Sequence, residues 1–218
     1  MEDNARQIEI GPLITDFIEL FGRYAGIVLG AAAGLAVAGV GLVLISTDRA
    51  TQSVTNIAAF FVTFAVLRHI LRGENLIEEE GTLGAYFRSS ILNGLGVLLG
   101  LVLLIVPGLF LMSCWSMAGC LVLTRNLRAR EALGASWEAT RKCGWMLVLV
   151  YTLAILAVVL AVVALGAVGG VLFGTESIAQ TVITECVGDL VTTVSAVLSV
   201  AIYRQLIGSM GPLRTIFA

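Results

Sequence analysis

Two acidic residues, Glu185 and Asp189, have the greatest potential for chemistry in this sequence. They lie four positions apart, so on a helix they share one face, and Asp189 falls about one turn inside the outer end of an apolar segment. Carboxylates at membrane depth are costly and by default suggest a functional site. One hypothesis is that Asp189 faces a cavity and binds a proton or a cation. The alternative is that both acids lie in the outer headgroup region, or that the helix begins later.

A second group of candidates is basic and lies between two apolar segments, close to Trp137. Basic side chains near a membrane surface attract anionic lipids by about 1 kcal/mol each, so these residues are candidate anionic-lipid contacts. Setting the membrane topology is the alternative role for the same charges. The candidates are Arg125, Arg128, Arg130, Arg141 and Lys142.

Other kinds of chemistry have little support in the sequence. The single histidine, His69, cannot supply a multi-histidine metal site, and the four cysteines show no CxxC spacing. The sequence has no HExxH motif, phosphate-binding loop or dinucleotide fingerprint. A net charge of −2 argues against a nucleic-acid partner, because no basic excess can neutralise phosphates. We therefore expect no metal, no cofactor and no enzymatic activity.

Membrane spans are the elements that carry these residues. The sequence is 58% hydrophobic and 13% charged, whereas a soluble domain has about 25% charged residues. The apolar residues form long uncharged blocks, and about 20 helical residues cross a hydrocarbon core of about 30 Å. We predict an all-α polytopic membrane protein that forms a single integral membrane domain over residues 1–218, with spans at about 25–45, 54–71, 91–106, 108–124, 145–165 and 184–203.

The number of spans depends on residues 91–124, an uncharged run interrupted only by Pro107 and Gly108. Proline removes a backbone donor and glycine permits turn geometry, so the pair suits a tight reversal. A single kinked and tilted span is the alternative. With the reversal, 12 of the 13 basic residues fall on one side and Arg49 alone falls on the other, as the positive-inside rule expects. We therefore predict six spans in three hairpins, with both termini cytoplasmic.

An amphipathic interfacial helix is predicted before each of the three hairpins. The first covers residues 12–23, where apolar residues recur at helical spacing opposite acidic ones. The other two are centred on residues 83–88 and 133–142. Within the first span, Gly26, Gly30 and Gly34 form a small-xxx-small pattern that would allow another helix to approach closely.

Two segments near the middle of the chain carry a resemblance to a known family. Residues 104–111 read LIVPGLFL, and residues 132–142 read ALGASWEATRK. The pattern is an apolar run with Pro107-Gly108, a further span, and then Ser136-Trp137-x-x-Thr140 before the next span. It resembles the YciC-like multi-pass bacterial membrane proteins, which are similar to the membrane domain found ahead of some glycerophosphoryl diester phosphodiesterases.

The resemblance covers the central third of the chain well and the remaining spans by layout. It implies a six-helix domain of the bacterial inner membrane without an established activity. The phosphodiesterase catalytic domain has no counterpart in this sequence, so its activity is not carried over.

Two functions remain open from the sequence. The first is a non-enzymatic inner-membrane protein that organises lipids or membrane partners in envelope homeostasis, with membrane lipids, other membrane proteins or a second copy as partners. The alternative is a small transporter or channel for a lipid or amphiphile, which would use the acidic face of the sixth span.

Overall fold

The computed structural model describes residues 10–45, 49–103, 105–141, 143–173 and 178–208. Regular secondary structure in these residues is helical throughout, which confirms the all-α prediction. In chain order the helices are α1 (Ile10–Ile45), α2 (Arg49–Gly73), α3 (Leu83–Leu103), α4 (Ile105–Cys114), α5 (Ala118–Arg125), α6 (Ala129–Thr140), α7 (Gly144–Phe173), α8 (Ile178–Tyr203) and a π-helical turn (Arg204–Gly208).

Six stretches of the described chain are long and apolar enough to cross a membrane, which confirms a polytopic architecture. Each overlaps one of the predicted spans, but the first begins at Gly11 instead of near residue 25, and the third begins at Leu83 instead of near residue 91. The stretches are Gly11–Leu42, Ser53–Gly73, Leu83–Val102, Val106–Arg125, Gly144–Val168 and Cys186–Leu206.

Two of the three predicted interfacial helices are not separate elements. α1 runs without a break through residues 12–23 into the first span, and α3 already begins at Leu83. No proline or polar turn follows either segment, so nothing in the sequence ends the helix there. The 36 residues of α1 extend about 54 Å, which exceeds a hydrocarbon core of about 30 Å. Only the third predicted interfacial helix, α6, stands alone.

The chain reverses direction between α3 and α4, as predicted, but the reversal comes before Pro107-Gly108. α3 ends at Leu103 and α4 starts at Ile105, while Leu104 itself lies outside the described residues. A Cβ atom on Gly100 would lie 2.9 Å from the Cα of Gly108, whereas one continuous helix would hold these two residues about 12 Å apart. Pro107 occupies the first turn of α4, where its missing N–H is not needed.

Within the described residues the chain forms two compact units. The first contains residues of Met1–Glu19, Arg68–Thr152 and Leu198–Ala218, and the second contains residues of Leu20–Leu67 and Leu153–Val197. The reversal between α3 and α4 and all of α5 and α6 belong to the first unit.

In the first unit, Arg204 joins the ends of elements that are distant in sequence. One guanidinium nitrogen, Nη1, lies 3.5 Å from Oε2 of Glu74 and 3.9 Å from Oε1 of Glu19, and Nη2 lies 3.9 Å from Oδ1 of Asp16. Arg204 is the first residue of the π-helical turn. One arginine therefore links the start of α1, the end of α2 and the end of α8.

In the second unit, α1 buries a face other than its glycine face. Tyr24 and Val28 are buried, whereas no neighbouring atom of the described chain lies within 4 Å of a Cβ placed on Gly26, Gly30 or Gly34. The close helix packing predicted at these glycines is therefore not seen.

The Gly100–Gly108 contact predicts that Gly100→Ala destabilises the α3–α4 hairpin. The added methyl group meets the backbone of α4, and overpacking of this kind costs about 1–3 kcal/mol. Gly94→Ala is the matched control, because Gly94 lies on the same helix with open space around it and alanine favours helix by about 1 kcal/mol. The free energy of unfolding in mixed micelles, followed by tryptophan fluorescence, measures both. Equal stability of the two variants would contradict the hairpin.

Candidate functional site

A break in the fourth span organises the region where charged residues gather. α4 ends at Cys114 and α5 begins at Ala118, with a turn over residues 115–117 between them. The carbonyl oxygen of Cys114 accepts a hydrogen bond from the Ser136 hydroxyl at 2.6 Å. The Thr140 hydroxyl lies 3.1 Å from the same carbonyl and 2.7 Å from the Ser136 carbonyl of its own helix, so it can donate to either. All three residues are buried, and a buried carbonyl without a donor is costly. Ser136 and Thr140 therefore fasten α6 to the end of α4.

An aromatic cluster packs beside this fastening. The ring centroid of Phe110 lies 5.5 Å from that of Trp137, in an edge-to-face arrangement, and 5.7 Å from that of Trp145. A Cβ atom on Gly144 would lie 2.7 Å from the ring of Phe110, so the absence of a side chain there lets the ring approach. Ser136, Trp137 and Thr140 thus hold α6 in place and have structural roles.

The segment between α2 and α3, residues 74–82, is pinned to the carboxyl end of α5, and we refer to it as the strap. The backbone N–H groups of Glu78 and Glu79 donate to the Thr124 carbonyl, each at 2.8 Å, and the Gly81 N–H donates to the Leu123 carbonyl at 3.2 Å. A Cβ atom on Gly81 would lie 2.8 Å from the Cα of Leu123, so this approach requires glycine. The strap therefore supplies donors to the last carbonyls of α5.

Acidic side chains of the strap engage three nearby arginines. Glu80 forms ion pairs with Arg72 and Arg68, and Nη2 of Arg68 lies 2.9 Å from Oε2 of Glu80. Hydrogen bonds from both arginines, with the larger effect from Arg72, lower the pKa of the Glu80 carboxyl. Glu78 Oε2 lies 3.6 Å from Nε of Arg125. The sequence alone suggests that the charge run Glu78–Glu80 is a solvated surface. In the structure at least two of its carboxylates, those of Glu78 and Glu80, have specific arginine partners.

A pocket of about 490 Å³ opens where two helices begin side by side. α3 starts directly after the strap, and α6 starts shortly after α5 ends; because the strap is pinned to α5, the two starts meet. We call this site the basic pocket. Its lining residues are Thr82, Ala85 and Arg88 from the start of α3, and Asn126, Leu127, Arg128, Ala129, Arg130 and Glu131 from the start of α6.

Local hydrogen bonds shape both walls of the basic pocket. Asn126 has a left-handed backbone conformation (φ 48°) that ends α5 and turns the chain toward α6. The Arg128 N–H donates to Oε2 of Glu131 at 3.1 Å, and the Ala85 N–H donates to the Thr82 hydroxyl at 3.3 Å. Both bonds cap the first turn of a helix. A helix start is a favourable place for an anion, since its first N–H groups and its dipole are electropositive.

The side chains of the basic pocket add to this positive potential. Three arginines and one glutamate line it, which leaves a net formal charge of two. Arg88 donates from Nε to the Gly84 carbonyl of its own helix at 3.2 Å, and its guanidinium has four further N–H donors. The exposed arginines Arg128 and Arg130 stand on the opposite wall. The arrangement can bind an anion such as a phosphate group.

The structure divides the predicted lipid contacts into two groups. Arg128 and Arg130 line the basic pocket, whereas Arg125 is not among its lining residues and is paired with Glu78. Arg141 follows the opposite end of α6, and Lys142 lies outside the described residues.

Sequence reasoning missed four polar members of the pocket. Thr82, Arg88, Asn126 and Glu131 line it as well. The sequence does show that Arg88 lies near the start of a span, after Thr82 as a candidate helix cap. It does not show that the start of α3 meets the start of α6.

The acidic candidates lie in the other compact unit. Asp189 is buried, with 7% of its surface exposed, and its backbone carbonyl accepts a hydrogen bond from the Thr193 hydroxyl at 3.0 Å. Glu185 belongs to α8, but its side chain lies outside the described residues. Among the residues that the structure describes, no group of three or more histidines, cysteines or acids could hold a metal ion. Binding of a proton or cation at Asp189 stays a prediction.

The sequence matches no family model, and comparison with curated proteins and with solved structures gives no match. Membership of the YciC-like family therefore stays a prediction.

The shared carbonyl of Cys114 predicts non-additive effects of Ser136→Ala and Thr140→Val. Each single variant leaves the carbonyl one hydroxyl donor, because in Ser136→Ala the Thr140 proton can turn from the Ser136 carbonyl to that of Cys114. The double variant leaves it none, at a cost of about 1–3 kcal/mol beyond the sum of the singles. Ser113→Ala is the control, since the Ser113 hydroxyl is also buried but bonds within its own helix. A double-mutant cycle on the free energy of unfolding measures the coupling. Strictly additive effects would exclude a shared acceptor.

Proposed function

We propose that this protein is a non-enzymatic multi-pass membrane protein that binds anionic phospholipid headgroups in the basic pocket and so organises lipids at one membrane surface. The observation that carries the proposal is the convergence of Arg88, Arg128 and Arg130 with two helix starts around one pocket. Membrane lipids are its partners in this proposal.

The position of the basic pocket along the spans supports a headgroup rather than a ligand of the bulk solution. Arg88 lies in the second turn of the stretch Leu83–Val102, and Asn126 follows immediately after the stretch Val106–Arg125. α3 and α4 run in opposite directions, so the start of one stretch and the end of the other lie at the same membrane border. A lipid phosphate occupies this depth.

The chemistry of the lining favours binding over catalysis. Arginine does not lose its proton in proteins, so it cannot serve as a general base. The remaining ionisable group, Glu131, accepts the N–H of Arg128 and caps α6. These groups hold a charge in place and offer little for acid–base chemistry.

The charge distribution and the family resemblance support a location for this activity. In the predicted six-span topology, the side that contains the basic pocket carries 12 of the 13 basic residues, as the positive-inside rule expects of a cytoplasmic face. The resemblance to YciC-like proteins favours the inner membrane of a bacterium. In this proposal both termini are cytoplasmic and the protein gathers anionic lipids in the inner leaflet.

The basic pocket predicts that Arg88→Gln and Arg128→Gln each weaken binding of an anionic lipid. Loss of one basic group costs about 1 kcal/mol, which corresponds to about fivefold in the dissociation constant. Native mass spectrometry of the intact protein, titrated with phosphatidylglycerol in detergent, measures the bound fraction. Higher salt should weaken binding to the unmodified protein, because the interaction is ionic.

Arg141→Gln is the matched control, since it removes the same charge near the other end of α6. It should change lipid binding by less than twofold, because Arg141 is not among the residues that line the basic pocket. Equal losses in all three variants would indicate a diffuse surface attraction and contradict a defined site. Salt-insensitive binding would contradict the proposal as well.

Transport of a lipid or amphiphile is a second candidate function, and one observation favours it. Asp189 is buried close to the start of the stretch Cys186–Leu206. A carboxylate within a membrane span is costly and by default suggests a functional site.

The transport hypothesis predicts that Asp189→Asn abolishes translocation of a fluorescent phospholipid in proteoliposomes. Asparagine keeps the volume of the side chain but cannot take up and release a proton. Asp189→Glu is the matched variant that keeps the carboxylate and should retain translocation. Lack of translocation by the unmodified protein, or equal rates in the asparagine variant, would eliminate this candidate.

A further inference from the structure

We infer that the lipid bound in the basic pocket carries two phosphodiester groups joined by a short linker, as in a diphosphatidylglycerol. The inference rests on the proposed function and specifies the class of lipid. Three features of the pocket support it: its charge, its two walls and its size.

The charge of the basic pocket matches a ligand with two negative charges. Arg88 contributes one positive charge from α3, and Arg128 and Arg130 contribute two from α6, while Glu131 contributes one negative charge. The net formal charge is two. A lipid with a single phosphodiester has one negative charge and would leave one arginine without a counter-charge.

The two walls offer two separate positions for phosphate. Each wall is the first turn of a helix of 12 residues or more, and each carries arginine. The dipole at a helix start attracts one phosphate group. The arginine on each wall supplies the N–H donors, because the Ala85 N–H already bonds to Thr82. A ligand that satisfies both walls therefore has two phosphates on one linker.

The size and the remaining lining of the basic pocket fit the linker. A volume of about 490 Å³ lies within the range of about 300–1,000 Å³ that is typical of sites for organic ligands. Thr82 and Asn126 offer hydroxyl and amide groups to a linker hydroxyl, and Ala85 and Leu127 offer apolar contact to its carbons.

The surface beyond the pocket fits acyl chains and argues for a lipid over free phosphate. α3 continues into its span with exposed apolar side chains, among them Phe87, Ile91, Leu95 and Leu98. Acyl chains attached to a headgroup in the pocket would lie along this surface.

Native mass spectrometry of the full chain tests the inference with four probes at equal phosphate concentration. The probes are tetraoleoyl diphosphatidylglycerol, dioleoyl phosphatidylglycerol, dioleoyl phosphatidate and inorganic phosphate. We expect the diphosphatidyl lipid to bind about tenfold or more tightly than phosphatidylglycerol, because it gains a second set of charge-assisted hydrogen bonds. Arg88→Gln should remove most of this preference, since only the α6 wall then binds phosphate, whereas Arg141→Gln should leave it unchanged.

Other outcomes would overturn the inference in distinguishable ways. Equal binding of the two glycerol lipids, with both dependent on Arg88 and Arg128, would overturn it and leave the proposed function intact. Tightest binding of phosphatidate, lost as the pH falls through the second phosphate pKa of about 6, would indicate a monoester dianion instead. Competition by inorganic phosphate as strong as by the lipids would overturn a lipid source. Binding of every lipid independent of the three pocket arginines would contradict the proposed function as well.

Discussion

Helix ends inside a membrane protein need hydrogen-bond donors from the protein itself, and this constraint shapes the first compact unit. The short helix α5 lies between two such ends. The carbonyl of Cys114, before α5, accepts the hydroxyls of Ser136 and Thr140 from α6, and the carbonyl of Thr124, near its end, accepts backbone N–H groups of the strap. Both sets of donors come from segments distant in sequence. The two helix breaks therefore hold α6 and the strap in place.

The basic pocket follows from these two attachments. The strap leads directly into α3, and α6 begins just after α5, so the same hydrogen bonds bring the two helix starts together. The strap also separates the arginines by role. Glu78 and Glu80 pair with Arg125 and with Arg68 and Arg72, and the pocket arginines lie on other helices. A positive potential is thus concentrated at one site instead of spread over the surface.

The sequence allowed part of this site to be predicted. The basic cluster between two spans is visible in the sequence, and two of its members, Arg128 and Arg130, line the basic pocket. Arg125 belongs to the same cluster but pairs with Glu78, because hydrogen bonds between the strap and α5 place the two side chains together. Local sequence contains no information on such pairing. Arg88 could not be predicted as a member of the site for the same reason, because the start of α3 meets the start of α6 only in the folded chain.

The sequence by itself determined the all-α, polytopic architecture, because long uncharged runs and the distribution of arginine report directly on the cost of placing charge in hydrocarbon. It also indicated the reversal near Pro107-Gly108. Only the tertiary structure decided that the chain turns before Pro107, that Gly108 serves close packing against Gly100, and that Ser136 and Thr140 share one carbonyl. These features depend on hydrogen bonds and van der Waals contacts between segments remote in sequence, which local composition and periodicity do not record.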